Sequence, residues 1–290
     1  MMAKNLGIAK IDTKIFGKIY APKNFVELAK LLNDVPYDYL SPEYWRGQSN
    51  IDWHVESTAV RRIKRHIQFN PETDISKIST LEEQVVQYEQ RILNDARAKG
   101  FGYRDGRKLA DLDLLASLQH YGAATRLIDF SRNTFIALWF ACQSNPDKYG
   151  VLLGADIIIG DGISWIKDQS IASLNIEDIL SHYNDSILIW EPQYLFERMR
   201  IQQSIFFFGV SHDGPWGNLT SLDFDFKSKE RSNNFFAIAI SPELKSELQT
   251  QWRVLFGYDV LTLFPDIEGF GRYHSSRSEF EWDFFSAPLD

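Results

Sequence analysis

The sequence predicts a single α+β domain over residues 1–290: a mixed sheet packed by helices, with a helix-rich N-terminal half and a strand-rich C-terminal half. Three observations predict it. Amphipathic and apolar helical patterns dominate up to Pro146, and short β-prone runs dominate after it. No internal repeat, low-complexity tract or linker divides the chain. The 44% hydrophobic content is enough for a sizeable core, to which the many aromatics contribute.

Taken in order, residues 15–22 read as a strand. Asn24 to Asn33 reads as a short helix with Phe25, Leu28 and Leu32 on one stripe. Tyr44 to Gln48 is strand-like until the break expected at Gly47. Thr80 and Glu83 form a capping box that starts a helix to Lys99. Its apolar stripe is Leu81, Val85, Tyr88, Ile92 and Ala96, with charges between. Leu109 to Tyr121 is a second long helix, stopped by Gly122, and Ser131 is placed to cap a third, Asn133 to Gln143, apolar almost all round and therefore central. The strands expected later are Tyr149 to Ala155, Ile187 to Trp190, Ile205 to Gly209 and Phe235 to Ile240. Gln193 to Gln203 is a helix candidate, Trp216 to Asn234 a surface loop, and Ser241-Pro242-Glu243 caps a helix reaching about Phe256.

A net charge of -8 excludes a protein that coats nucleic acid with a basic surface. The single cysteine, Cys142, cannot form an internal disulfide and lies in an apolar run, as a buried thiol of a reducing compartment would. The N-terminal residues carry no apolar leader, and no run approaches the ~18 apolar residues of a membrane span. A cytoplasmic protein without a membrane partner is expected.

Four segments place polar residues where the pattern predicts burial or a tight turn. In Trp45-Arg46-Gly47-Gln48, an arginine that follows aromatics and precedes a glycine offers a planar fork to phosphate or carboxylate, or pairs with an internal acid. Gln119-His120-Tyr121-Gly122 leads into Thr125-Arg126 and Asp129, dense polarity between two apolar helices. There His120 is a candidate acid or base, or a C-terminal cap. Arg126 and Asp129 could equally be a buried ion pair. In a helix, Arg198 and Gln202 share a face at i, i+4. The stretch Leu263 to Gly269 brackets Asp266 and Glu268 between Pro265 and Gly269, which also suits a turn with a helix cap. The basic run Arg61-Arg62-Ile63-Lys64-Arg65-His66 reads as a solvated helix face, with nucleic-acid contact as the alternative.

Sharper chemistries lack their residues. There is no phosphate-binding Walker loop, no dinucleotide fingerprint and no nucleophile elbow. Six scattered histidines and one cysteine give no metal-ligand spacing, so no metal site is expected.

In this order the segments resemble the FRG domain family. Trp45-Arg46-Gly47-Gln48 is similar to its Phe/Tyr-Arg-Gly motif, and Gln119 to Phe130 to its Gln-His-Tyr-Gly-x-x-Thr-Arg-Leu-Leu-Asp-Trp signature, with Ile128 for Leu and Phe130 for Trp. Asn133 to Ala141 resembles its Asn-Pro-x-x-Ala-Leu-Tyr-Phe-Ala segment. Pro192, Arg198, Gln202, Gln203 and Phe206 follow its later pattern with Ser204 in place of Gly, and Leu263 to Gly269 its closing motif. The resemblance covers about residues 40–275. It implies one domain and names no reaction; the family is common in bacteria and phages.

The reading that follows is an anion-binding cleft for a nucleotide or a nucleic-acid phosphate, in an intracellular enzyme acting as a toxin or phage-defence effector. Arg46, Arg126 and Arg198 would neutralise the anion, and Gln48, Gln119, Thr125 and Gln202 would orient it. His120 would be the acid or base, with Asp129 or Glu268 orienting it. ADP-ribosyl transfer is a minor variant, drawing its glutamate from Glu268, Glu279 or Glu281. The alternatives are a non-catalytic nucleotide-sensing module and purely structural polar motifs. Neither cofactor nor oligomeric state is legible.

Overall fold

A computed structural model describes residues 7–34, 43–69, 79–155, 162–183, 186–192, 196–214, 216–219 and 235–275. The loop expected at 216–234 falls mostly outside these residues, as do Glu279, Glu281 and the first residues of the helix expected at 193–203. In chain order the strands are β1 (Lys10–Thr13), β2 (Gly17–Tyr20), β3 (Tyr44–Gln48), β4 (Tyr103–Arg104), β5 (Arg107–Lys108), β6 (Ile128–Ser131), β7 (Gly150–Ala155), β8 (Ile163–Trp165), β9 (Ile187–Trp190), β10 (Ser204–Phe208) and β11 (Phe235–Ile240). The helices are α1 (Phe25–Asp34), α2 (Thr58–Phe69), α3 (Leu81–Ala98), α4 (Asp111–His120), α5 (Thr134–Cys142), α6 (Gln169–Ala172), α7 (Ile176–Tyr183), α8 (Glu197–Ile201), α9 (Pro242–Gln251), α10 (Val260–Leu263) and α11 (Ile267–Tyr273). Nine of the described strands form one mixed sheet in the order β1-β2-β11-β7-β3-β6-β10-β9-β8, so the α+β class is as predicted. No helix among the described residues is long and apolar enough to cross a membrane.

Local chemistry explains the elements. The Thr80–Glu83 capping box forms in both directions and starts α3. Ser241 caps α9 through the Leu244 amide with Pro242 just inside, and the helix continues as a π-helical stretch over Trp252–Phe256. The cap of α5 is Asn133 rather than Ser131: the Asn133 carboxamide accepts from the Phe135 and Ile136 amides, while Ser131 belongs to β6 and accepts from the Asn133 amide. Gly47 lies inside β3 instead of ending it, because α5 packs directly on that strand. A Cβ there would stand 1.8 Å from the Ala137 carbonyl oxygen.

Alternation along the central strands divides the core. Tyr44, Ile128, Phe130, Leu153, Ile189 and Phe207 face one side of the sheet and join Phe16, Trp216 and Leu219 there. On the other side lie two helical groups. Residues of α1, α5 and α9 pack with Trp45, Leu152 and Ile238. Residues of α3, α4 and α7 pack with Leu188, Trp190, Phe206 and Phe208. The two groups meet over β3 and β6, and that seam positions the site.

Candidate functional site: a cleft over a split in the sheet

β3 and β6 are antiparallel neighbours in the sheet but share a single paired position, Trp45 with Ser131. Beyond it the ladder is not continued. The carbonyl of Asp129 instead accepts from the Arg46 guanidinium, Nη1 at 2.8 Å. Over this split a cavity of about 320 Å³ opens between α4 and α5. Arg46, Gln119, His120, Asp129, Arg198 and Gln202 all line it, with an apolar wall that includes Trp45, Phe130, Phe140 and Phe264.

One side of the cavity is a carboxylate held in a chain of hydrogen bonds. The Gln119 amide nitrogen donates to both oxygens of Asp129, each at 2.9 Å. The orientation of that amide is set by the Thr125 hydroxyl, which donates to Gln119 Oε1. The Asp129 carboxylate remains accessible through the cavity, yet the surrounding protein pushes its pKa above the usual range; Arg46, Gln119 and Arg61 pull the other way. Desolvation likewise lowers the Arg46 guanidinium to about 10.

The other side is built on His120, at the end of α4. Its ring stacks on Phe196 with centroids 4.2 Å apart, and its Nε2 stands 3.5 Å from Asp266 Oδ2. Burial and the neighbouring Arg198 hold the imidazole below its ordinary pKa, against the pull of Asp266 and Glu268. Arg198 lies over the Phe264 ring at 4.8 Å, donates to Asp266 Oδ1 at 2.7 Å and reaches the His120 carbonyl at 3.3 Å. Its Nε–H, buried, has no acceptor among the described residues, and neither does Asp266 Oδ2 a donor in hydrogen-bond geometry. His120 and Asp129 thus line one cavity in environments that move their pKa values in opposite directions, the imidazole down and the carboxyl up.

Other expected site residues stand elsewhere. Arg126 is wholly buried and does not line the cavity: its Nε meets Glu89 at 2.5 Å and its Nη1 meets Glu82 at 2.8 Å. The ion pair left open by the sequence is therefore with Glu89 and Glu82, from α3, and not with Asp129. Thr125 is also buried, acting on Gln119 rather than on the cavity. Gln48 accepts weakly from Arg46 Nε and donates to the Trp53 carbonyl. Glu268 is outside the lining, 3.5 Å from Arg198. The carboxylate beside His120 is Asp266, two residues earlier, which also caps α11 through the Gly269 amide. Gln202 reaches the Leu263 carbonyl, tying α8 to α10.

No curated protein and no solved structure matches the chain. The family model of the FRG domain matches residues 41–149, the segment that supplies Arg46, Gln119, His120 and Asp129, whereas Arg198 and Asp266 come from beyond it. Over residues 41–149, then, the chain is similar to the FRG domain.

Proposed function

We propose that the cleft binds a phosphate-bearing ligand, a nucleotide or a phosphate of nucleic acid, and that His120 and Asp129 act on it as base and acid. The carrying observation is the Nε–H of Arg198, buried and without an acceptor among the described residues, on a side chain lining the same cavity as Arg46. A buried donor left unpaired costs about 1–3 kcal/mol, so an acceptor brought in by a ligand would relieve it. The aromatic wall suits a base, and the volume lies within the range of small-molecule sites. Neutral His120 would accept a proton while Asp129, its carboxyl kept protonated to higher pH, would return one. Glu268 stands outside the lining, so ADP-ribosyl transfer has no glutamate among the described cavity residues to support it.

Calorimetric titration with inorganic phosphate, AMP and GMP tests the reading. Binding that weakens at least tenfold in Arg46→Gln and Arg198→Gln supports it; a folded wild type that binds none of the three sinks it. Turnover lost in His120→Ala while binding persists marks an enzyme, and binding without turnover marks a sensing module. An effector role predicts growth arrest on expression that His120→Ala relieves.

A further inference from the structure

The basic run of α2, not needed for the cleft as described, lies beside it. Two hydrogen bonds pin the start of α2 to Thr125: the Ala59 amide and the Thr58 hydroxyl both donate to the Thr125 carbonyl, at 3.0 and 3.1 Å. The Thr125 amide donates back to the Thr58 hydroxyl at 2.9 Å. Thr125 is the residue whose hydroxyl orients Gln119, and Asp129 follows four residues later. This stitching sets Arg61, less than one turn into α2, next to the Arg46–Asp129 side of the cavity. Its guanidinium is close enough to favour the charged form of Asp129 and to oppose that of Arg46.

The charges of the run are not equally engaged. Lys64 is held by Glu56 at 2.5 Å and Asp213 at 2.8 Å, and Arg62 lies over the Tyr88 ring at 5.4 Å. Arg61 and Arg65 are exposed and share a face at i, i+4. Arg61 spends one nitrogen on the Glu56 carbonyl, at 2.7 Å, an uncharged acceptor. Arg61 is thus a charged neighbour of Arg46, and Arg65 of Arg61, so that cationic side chains of α2 adjoin the Arg46 side of the cavity without lining it. Nothing in a solvated helix face calls for its start to be tied into the hydrogen-bond chain of the cleft.

From this juxtaposition we infer that α2 is the second half of the binding site, and that the ligand is a small nucleotide with a phosphate chain, its first phosphate at Arg46 and its terminal phosphate on Arg61 and Arg65. The inference rests on the proposed phosphate-binding role of the cleft and narrows its ligand class. A nucleic-acid strand fits less well: it would leave these three arginines for a protein of net charge -8, whereas a short phosphate chain ends among them.

Calorimetry with adenosine, AMP, ADP and a ten-nucleotide single strand decides. ADP should bind the wild type at least tenfold more tightly than AMP. Arg61→Gln with Arg65→Gln should erase that advantage while leaving AMP affinity and Tm unchanged, and Arg61→Lys with Arg65→Lys should retain most of it. Equal affinity for AMP and ADP, or an ADP preference that survives the double glutamine variant, overturns the inference and leaves the cleft reading intact. Tighter binding of the oligonucleotide than of ADP overturns it in favour of a strand. If the folded wild type binds none of the four, the cleft reading falls and takes this extension with it.

Discussion

Two buried arginines, Arg126 and Arg198, enter the same polar region of the molecule and end in opposite situations. Arg126 is inaccessible to solvent and clamped by Glu89 and Glu82; those carboxylates keep it charged in spite of burial. Its Nη2 also lacks an acceptor among the described residues, but it is closed off from solvent. Arg198 has Asp266 for a partner, yet lies against a cavity with no acceptor for its Nε–H among the described residues and a histidine alongside. A paired charge in closed packing fixes a turn. A partly satisfied one at an open cavity is poised for an additional partner. The presence of a buried arginine therefore separates nothing; accessibility and leftover bonding capacity do.

The largest expected effect tests the closed cluster. Arg126→Met leaves Glu89 buried without its counter-charge and should cost about 3–5 kcal/mol, lowering Tm by about 10 °C. Adding Glu89→Leu should recover part of that loss, because two apolar side chains replace the pair. Scanning calorimetry of the three proteins checks both points. A Tm for Arg126→Met within two degrees of wild type would erase the distinction between the two arginines.

Next in size is the split on which the open cluster rests. Gly47→Ala puts a methyl 1.8 Å from the Ala137 carbonyl oxygen, so α5 must move off β3. Overpacking of this kind costs about 1–3 kcal/mol, and the displaced helix carries Ile136, Ala137 and Phe140 of the cavity wall. Ligand binding should fall further than stability does. A variant that binds normally would show that the seam between α5 and β3 does not shape the site.

How much of this was legible depended on whether a residue's partner was local. The capping box of α3, the Ser241 cap and the apolar α5 are set by neighbours in sequence and were readable there. The burial of Glu89 was not: in the helical pattern it sits among charges, and only Arg126, 37 residues away, brings it inside. Strand β6 has no clear signal in the sequence because Ile128–Ser131 is short and polar at Asp129, although it occupies the middle of the sheet. Lys245 is a similar case, 1% exposed, with its ammonium donating to the carbonyls of Ser49, Ser144 and Asn145. At the site, the polar segments were visible and their partners were not. Asp266 stood in the same motif as Glu268, and nothing in the spacing distinguished the carboxylate that meets His120. Its position as the residue three before Gly269, where a helix cap falls, was the available signal.

A smaller effect concerns pH. His120 faces Phe196, Arg198, Asp266 and Glu268, and its folded pKa lies below the ordinary 6.5. In the window just below pH 6.5 the unfolded chain binds a proton that the folded chain refuses, so stability falls as pH drops, by at most ~1.4 kcal/mol per pH unit. His120→Gln should flatten the wild-type curve in that window. The raised pKa of Asp129 acts in the opposite direction, so the difference between the two proteins isolates the histidine. A variant curve parallel to wild type would mean that His120 does not resist protonation.

The smallest effect is the sharpest test of the comparison, because it sets Asp129 against Glu89. Both carboxyls are pushed above their usual pKa by their surroundings, but Glu89 has Arg126 clamped against it, whereas Asp129 relies on the neutral amide of Gln119 and the more distant charges of Arg46 and Arg61. Above its raised pKa, the charge on Asp129 therefore opposes folding. Asp129→Asn removes that charge and keeps an oxygen for the Gln119 amide to bond, and Arg46 retains the main-chain carbonyl of residue 129. Tm at pH 7 should stay level or rise by about one or two degrees, while any turnover in the cleft is lost. A fall of five degrees or more would place Asp129 with Glu89 among the residues that hold the fold, and would remove the acid from the proposed couple.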